Sequence, residues 1–295
     1  MANSNGWGDG AANNSIGWGQ GANNAINWGK SHFLSAAGLT DIVGFTTDAD
    51  AQAFITAAAI TDPTQQIAIN NLVVGMKADG TWTKMKAIYP FVGGTATTHK
   101  WNLKDPRDLD AAFRLVFNGG WTHSSNGATP NGTNGYADTY LVPSSVLQLN
   151  STSHSVYSRS LSPVGIMGGV NDVTNYMILS NPTSTTITSQ INSIGANFIT
   201  GTIINSQGLL MANRISSTTM NAWRNSTKIA TDTKNSTLRP TINYYVGARN
   251  NEGAPSSYDA KQYGFYHIGD GLTDTEAANL YTRVQAFQTS LSRQV

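Results

Sequence analysis

The chain has 295 residues, of which 12% are charged, and a formal net charge of +1. A near-neutral chain with no basic run offers no electrostatic footprint for nucleic acid or an anionic membrane surface. The lack of cysteine excludes a disulfide framework, a zinc–thiolate site and a thiol nucleophile.

The polar residues are mainly Asn, Thr, Ser and Gly, a mix suited to strands and tight turns rather than helical bundles. The opening residues lack the basic and apolar regions of a signal peptide. No apolar stretch approaches the ~18 residues of a membrane span. The sequence therefore predicts a soluble protein made in a cytoplasm. Residues 6–16 and 17–26 form a repeat: each copy opens Gly-Trp-Gly, carries an Asn-Asn pair and ends on Ile, and Trp28-Gly29 begins a partial third copy. Two and a half copies are too few for a solenoid. One Trp and one Ile per copy cannot offset the ordering entropy of so much Gly, Ala and Asn. Residues 1–30 are thus either a flexible low-complexity arm or a segment that orders against a partner. Tryptophan spacings of 11 and 10 residues among small neighbours favour the second reading, with Trp7, Ile16, Trp18, Ile26 and Trp28 as docking residues.

Residues 31–83 read as a helical connector. Asp48 and Asp50 precede an Ala-rich run, and Asp62-Pro63 is a strong helix start. Ile67, Leu72 and Val73 give an apolar face, with Gly75 and Gly80 marking its end. The connector joins arm to body, or mediates self-association through its Ala-rich face. From residue 84 the pattern changes to short apolar or alternating runs between Gly, Asn, Ser and Thr turns. These runs are 84–92, 100–103, 113–117, 136–142, 154–160, 176–179, 197–204, 208–215, 220–230, 242–246 and 263–267. They predict a mainly β fold, an antiparallel sandwich, over 84–295. Thr273 and Glu276 form a capping box, and Leu280, Val284, Phe287 and Leu291 recur at helical spacing, so a helix closes the chain.

The run from Tyr263 through Ile268-Gly269-Asp270 and the Thr273–Glu276 box to Leu280-Tyr281 resembles the closing strand and helix of laminin-G-like, concanavalin-A-like jelly rolls. Residues 242–249 look like the preceding family strand. The resemblance implies a jelly-roll β-sandwich over roughly 85–295. The Gly-Trp-Gly repeat, the stretch 82–94 and His99 to Leu103 resemble virion structural proteins of crAss-like tailed phages that infect Bacteroidetes. That resemblance implies a head fibre, decoration or tail appendage located in the virion. It would contact other virion proteins (capsid, portal, collar or tail) and form a homo-oligomer, preferably a trimer.

Concanavalin-like folds also host glycoside hydrolases, which need two carboxylates flanking the scissile bond. The family's Glu-x-Asp-x-x-Glu motif is absent. The two glutamates are Glu276, used in the capping box, and Glu252, in a turn sequence. His32, His99, His123, His154 and His267 show no metal-ligand spacing, and no Gly-x-Ser-x-Gly elbow occurs. Asp105, Asp108 and Asp110 cluster without matching a calcium loop and read as a solvated turn. No enzyme activity and no cofactor are expected. Loop 118–136 combines aromatic rings with amides and hydroxyls, as a sugar site requires. Trp121, His123 and Tyr136 are therefore candidate contacts for a host surface polysaccharide.

Overall fold

The computed structural model describes residues 47–161, 165–172, 175–195 and 197–295. The chain divides into two units between Thr47 and Asp48, and the described residues from Asp48 onward belong to the second. No helix among them is long and apolar enough to cross a membrane.

Two helices open this unit, each capped by an acid at its positive end. Asp48 accepts the Asp50 N–H ahead of α1 (Ala49–Ala57), and Asp62 accepts the Gln65 N–H at 2.8 Å ahead of α2 (Pro63–Ala78). Among the described residues seventeen strands follow: β1 (Met85–Tyr89), β2 (Val116–Asn118), β3 (Trp121–Ser124), β4 (Gly127–Pro130), β5 (Tyr136–Asp138), β6 (Thr152–Ser158), β7 (Gly165–Asp172), β8 (Asn175–Thr183), β9 (Thr186–Ile194), β10 (Ile199–Thr202), β11 (Gly208–Arg214), β12 (Thr219–Arg224), β13 (Thr227–Thr233), β14 (Tyr245–Val246), β15 (Arg249–Asn251), β16 (Ala254–Ser256) and β17 (Tyr263–Gly269). Two single-turn helices, α3 (Ala96–His99) and α4 (Pro143–Val146), interrupt them, and α5 (Asp274–Ser290) closes the chain.

The first sheet runs β13–β12–β11–β6–β17–β4–β3, with β1 also paired to β17. The second runs β10–β9–β8–β7–β14–β5–β2, and the β15–β16 hairpin joins it at β7. Every pairing is antiparallel except β15 with β7. The fold is the expected antiparallel jelly-roll sandwich. Its core follows the two-residue period of the strands. Val156, Leu210, Ala212, Tyr266 and Ile268 of the first sheet face Met167, Val170, Met177, Leu179, Ile187 and Val246 of the second.

The first sheet is buried on both faces at β6, β11 and β17. Its outer face meets α5, whose buried stripe is Ala277, Leu280, Val284 and Phe287. Tyr157 donates to Gln285 Oε1 at 2.8 Å, and Gln288 Nε2 donates to the Gly264 carbonyl at 3.0 Å. The capping box forms as read: Thr273 accepts the Glu276 N–H, and Glu276 accepts the Thr273 N–H. Helix α2 packs beside α5. Arg283 grips Asp79 at 2.7 Å, and a Cβ on Gly75 would sit 2.6 Å from the Arg283 side chain. The helical pair, expected as a joint, therefore lies in the same compact unit as the sandwich.

Some expected strands differ. Residues 100–103 contribute only an isolated bridge, Asn102 to Asp105. There the Asn102 side chain is spent accepting the Ile88 N–H and donating to the Ala112 carbonyl. The run 220–230 is a hairpin rather than one strand. Asn225 takes φ 56° between β12 and β13, a left-handed conformation that Asn tolerates. Strands β3, β4, β7, β9, β15 and β16 fall outside the expected runs, and the expected loop 118–136 holds the β3–β4 hairpin. Gly168-Gly169 in β7 resembles a turn, yet a Cβ on Gly168 would lie 2.1 Å from the Tyr266 hydroxyl and 2.8 Å from that of Tyr244.

Candidate functional site

Trp121 and His123 share one face of β3, the edge strand of the first sheet. Their rings stack at 6.1 Å and 22°, and both meet Phe117 of β2, the edge strand of the second sheet, edge-on at 5.1 and 4.6 Å. His99 completes the group, its Nδ1 2.9 Å from His123 Nδ1. His99 Nε2 accepts the Gly94 N–H at 3.2 Å, so its proton sits on Nδ1 and is donated to His123. Burial, reinforced by the His123 and Arg293 charges, pushes His99 down to about 3, and burial also lowers His123. This cluster closes the gap between the two sheet edges. The Trp121 indole N–H is used on the Tyr136 carbonyl at 3.1 Å, and its ring packs against the core.

Tyr136 faces the other way. Ala137 and Val246 point into the core, so by strand alternation Tyr136, Asp138 and Tyr245 point outward from the second sheet. The Tyr136 and Tyr245 rings lie 4.7 Å apart at 32°. Burial pushes the Tyr245 hydroxyl up to about 12, helped by Asp138, Tyr136 and Tyr140. Tyr136 is raised by burial together with Asp138, Tyr258 and Tyr140. Asp138 is itself raised, with burial outweighing the hydrogen bonds from the Tyr140 N–H and Asn243. The structure thus joins Trp121 to His123 in a packed edge and groups Tyr136 with Tyr245, Tyr140, Asp138 and Tyr258 on the outer face. Composition alone does not single out the second group, because its members come together only when β5, β14 and the segment after β16 fold. On the same face a cleft of about 350 Å³ is lined by Gly165, Ile166, Ser180, Pro182, Ser257 and Tyr258.

Other polar groups are tied into the scaffold. His267 Nε2 lies 2.9 Å from Ser153 Oγ and its Nδ1 lies 2.5 Å from Ser155 Oγ. Ser153 donates to the Asp270 carbonyl, so it accepts from His267 Nε2, and burial, which pushes His267 down to about 3, favours the neutral imidazole. Lys261 pairs with Asp259 at 2.9 Å, both fully buried, and Tyr263 donates to the same carboxylate. Asp105 pairs with Arg107, Asp108 with Lys100 and Arg114, and Asp110 with Arg114. Among the described residues no group of three or more His, Cys, Asp or Glu could hold a metal ion. The residues expected to dock, Trp7, Ile16, Trp18, Ile26 and Trp28, lie outside the described residues.

No protein-family model matches the chain, and no curated protein matches it. Among solved structures, it is similar to domain 4 of AbnA, an extracellular arabinanase from Geobacillus stearothermophilus in complex with arabinotriose. That match has 14% identity and a TM-score of 0.43, covering 67% of this chain and 98% of that one. The NanB sialidase of Streptococcus pneumoniae matches at 13% identity and a TM-score of 0.40, covering 55% of this chain and 27% of the sialidase. The CBM40 domain of Ruminococcus gnavus IT-sialidase, bound to α2,3 sialyllactose, matches at 14% identity and a TM-score of 0.34, covering 43% and 80%. The sandwich assignment rests on the strand pairings of the chain itself.

Proposed function

We propose that this chain is a non-catalytic structural component of a tailed-phage virion, docked through residues 1–30 and projecting the sandwich outward. The observation that carries the reading is the Gly-Trp-Gly repeat of residues 6–29, whose apolar content is too small to offset its own ordering. The described sandwich core draws its buried residues from between Ala87 and Ile268, and the first helix of that unit is tied down by its own cap and by Lys77 bonded to Asp48. A segment of that composition, ahead of a body that begins at Asp48, supports docking on another protein's surface.

The carboxylates argue for a scaffold. Outside ion pairs, the described ones are Asp62, which caps α2, Asp138, Asp172, which accepts from Thr241, and Glu252, in the β15–β16 turn. Deleting residues 1–30 tests the docking claim. The truncated protein should fold, with unchanged circular dichroism, but fail to enter particles. Normal incorporation rejects the docking role. Assembly into a symmetric trimer, expected for an appendage, is read by sedimentation equilibrium of the full chain. Release of new reducing ends from host polysaccharide would replace this reading with an enzymatic one.

A further inference from the structure

We propose that the cleft on the outer face of the second sheet binds a neutral saccharide, with one sugar ring stacked on Tyr258. The inference does not depend on the particle role, since it rests on the sandwich alone.

Ile166 and Ser180 form the floor. They are cross-strand partners on β7 and β8; Ser180 faces outward because its neighbour Leu179 is in the core, and Ile166 opposite it shares that face. Pro182, Ser257 and Tyr258 supply the walls of this volume of about 350 Å³. That is the small end of the ~300–1,000 Å³ typical of ligand sites, suited to a mono- or disaccharide unit. The Tyr258 ring is held in place through its hydroxyl, which donates to the Pro255 carbonyl at 3.1 Å. Ring orientation is therefore set before any ligand arrives, which reduces the ordering cost of binding. Ser257 adopts φ 55°, a conformation unfavourable for a residue with a Cβ. Its carbonyl is clamped by the Ile166 N–H at 3.2 Å. The strained residue thus fixes the wall to the floor.

The chemistry selects the ligand class. An aromatic face, a proline and an isoleucine suit the C–H face of a sugar ring. Hydroxyls suit its rim: Ser180 Oγ lies 2.6 Å from Thr188 Oγ1, and Ser257 is exposed beside them. Among the described residues no charged side chain lines the cleft. A sialic or uronic acid would bring a carboxylate with no cation there to receive it, whereas carboxylate recognition relies on charge-assisted hydrogen bonds. A longer neutral chain has a second aromatic contact on the same face, the Tyr136–Tyr245 pair.

Two readouts test the proposal: a glycan array carrying neutral, sialylated and uronate-containing saccharides, and titration calorimetry on the hits with the full-length protein. The expected result is binding of neutral saccharides only. Tyr258→Ala should weaken it at least ten-fold with an unchanged thermal midpoint. Ser180→Val, which fills the floor and removes a hydroxyl, should do the same, so a poorly folding Tyr258 variant would not leave the question open. Tyr136→Ala should weaken oligosaccharides but not a monosaccharide. No neutral ligand on the array, binding confined to acidic sugars, or affinity unchanged in folded Tyr258→Ala or Ser180→Val protein would each overturn it.

Discussion

Gly168 stands where a side chain would collide with the Tyr244–Tyr266 hydroxyl pair, which is bonded at 2.6 Å and extended by His154 Nδ1 at 2.7 Å from Tyr244. The Gly168→Ala variant should lose about 1–3 kcal/mol from overpacking, read as a lower urea midpoint at unchanged slope. A second residue-scale prediction concerns acid. Burial lowers His99, His154 and His267 to about 3 each, against ~6.5 in the unfolded chain. As pH falls below about 6.5 the unfolded chain takes up protons that the native one refuses, so native stability is retained above that pH and declines towards 3. Each histidine contributes up to about 1.4 kcal/mol per pH unit to that decline. Denaturation midpoints at pH 7 and 5 measure it, and equal stability at the two values would contradict the neutral imidazoles. Sequence reading reached part of this scale. It named Trp121 and His123 together, but as residues of a long loop; they lie on one face of strand β3 and meet there. The Tyr136–Tyr245 pair was not legible, because it depends on which distant strand lies beside β5.

Helix α5 shows the element scale most clearly, for its capping box and apolar stripe were legible while its anchor was not. Arg293, 1% exposed, donates to the Phe91 carbonyl at 2.7 Å, to those of Gly264 and Pro90 at 3.0 and 3.2 Å, and to Gln288 Oε1 at 2.9 Å. Burial pushes its guanidinium down to about 9. An arginine near a chain end reads as surface, and only the folded arrangement shows it stapling α5 to the loop after β1. Arg293→Met should cost at least about 2 kcal/mol, since each orphaned buried carbonyl costs roughly 1–3 kcal/mol. A thermal midpoint within error of the parent would contradict the staple. Strand reading failed where a local signal carried a nonlocal meaning. The Gly168-Gly169 pair of β7 looks like a turn, but Gly168 makes room for Tyr244 and Tyr266 of the core. Asn225 turns an apparent long strand into a hairpin.

At the scale of the whole molecule, two layers of unlike demand are joined in one chain. The sandwich and its helices answer to burial and pairing, so their class was legible from strand runs and turn residues. In the proposed function the leader takes its surface from another protein, a role read from its sequence only as an incapacity: too little apolar area for its length. A cryo-EM reconstruction of particles assembled with this protein tests the account most directly. It predicts Trp7, Trp18 and Trp28 seated on a neighbouring virion protein, with the sandwich projecting beyond them. Those three indoles inserted instead into the chain's own sandwich, with no neighbouring protein against them, would contradict it.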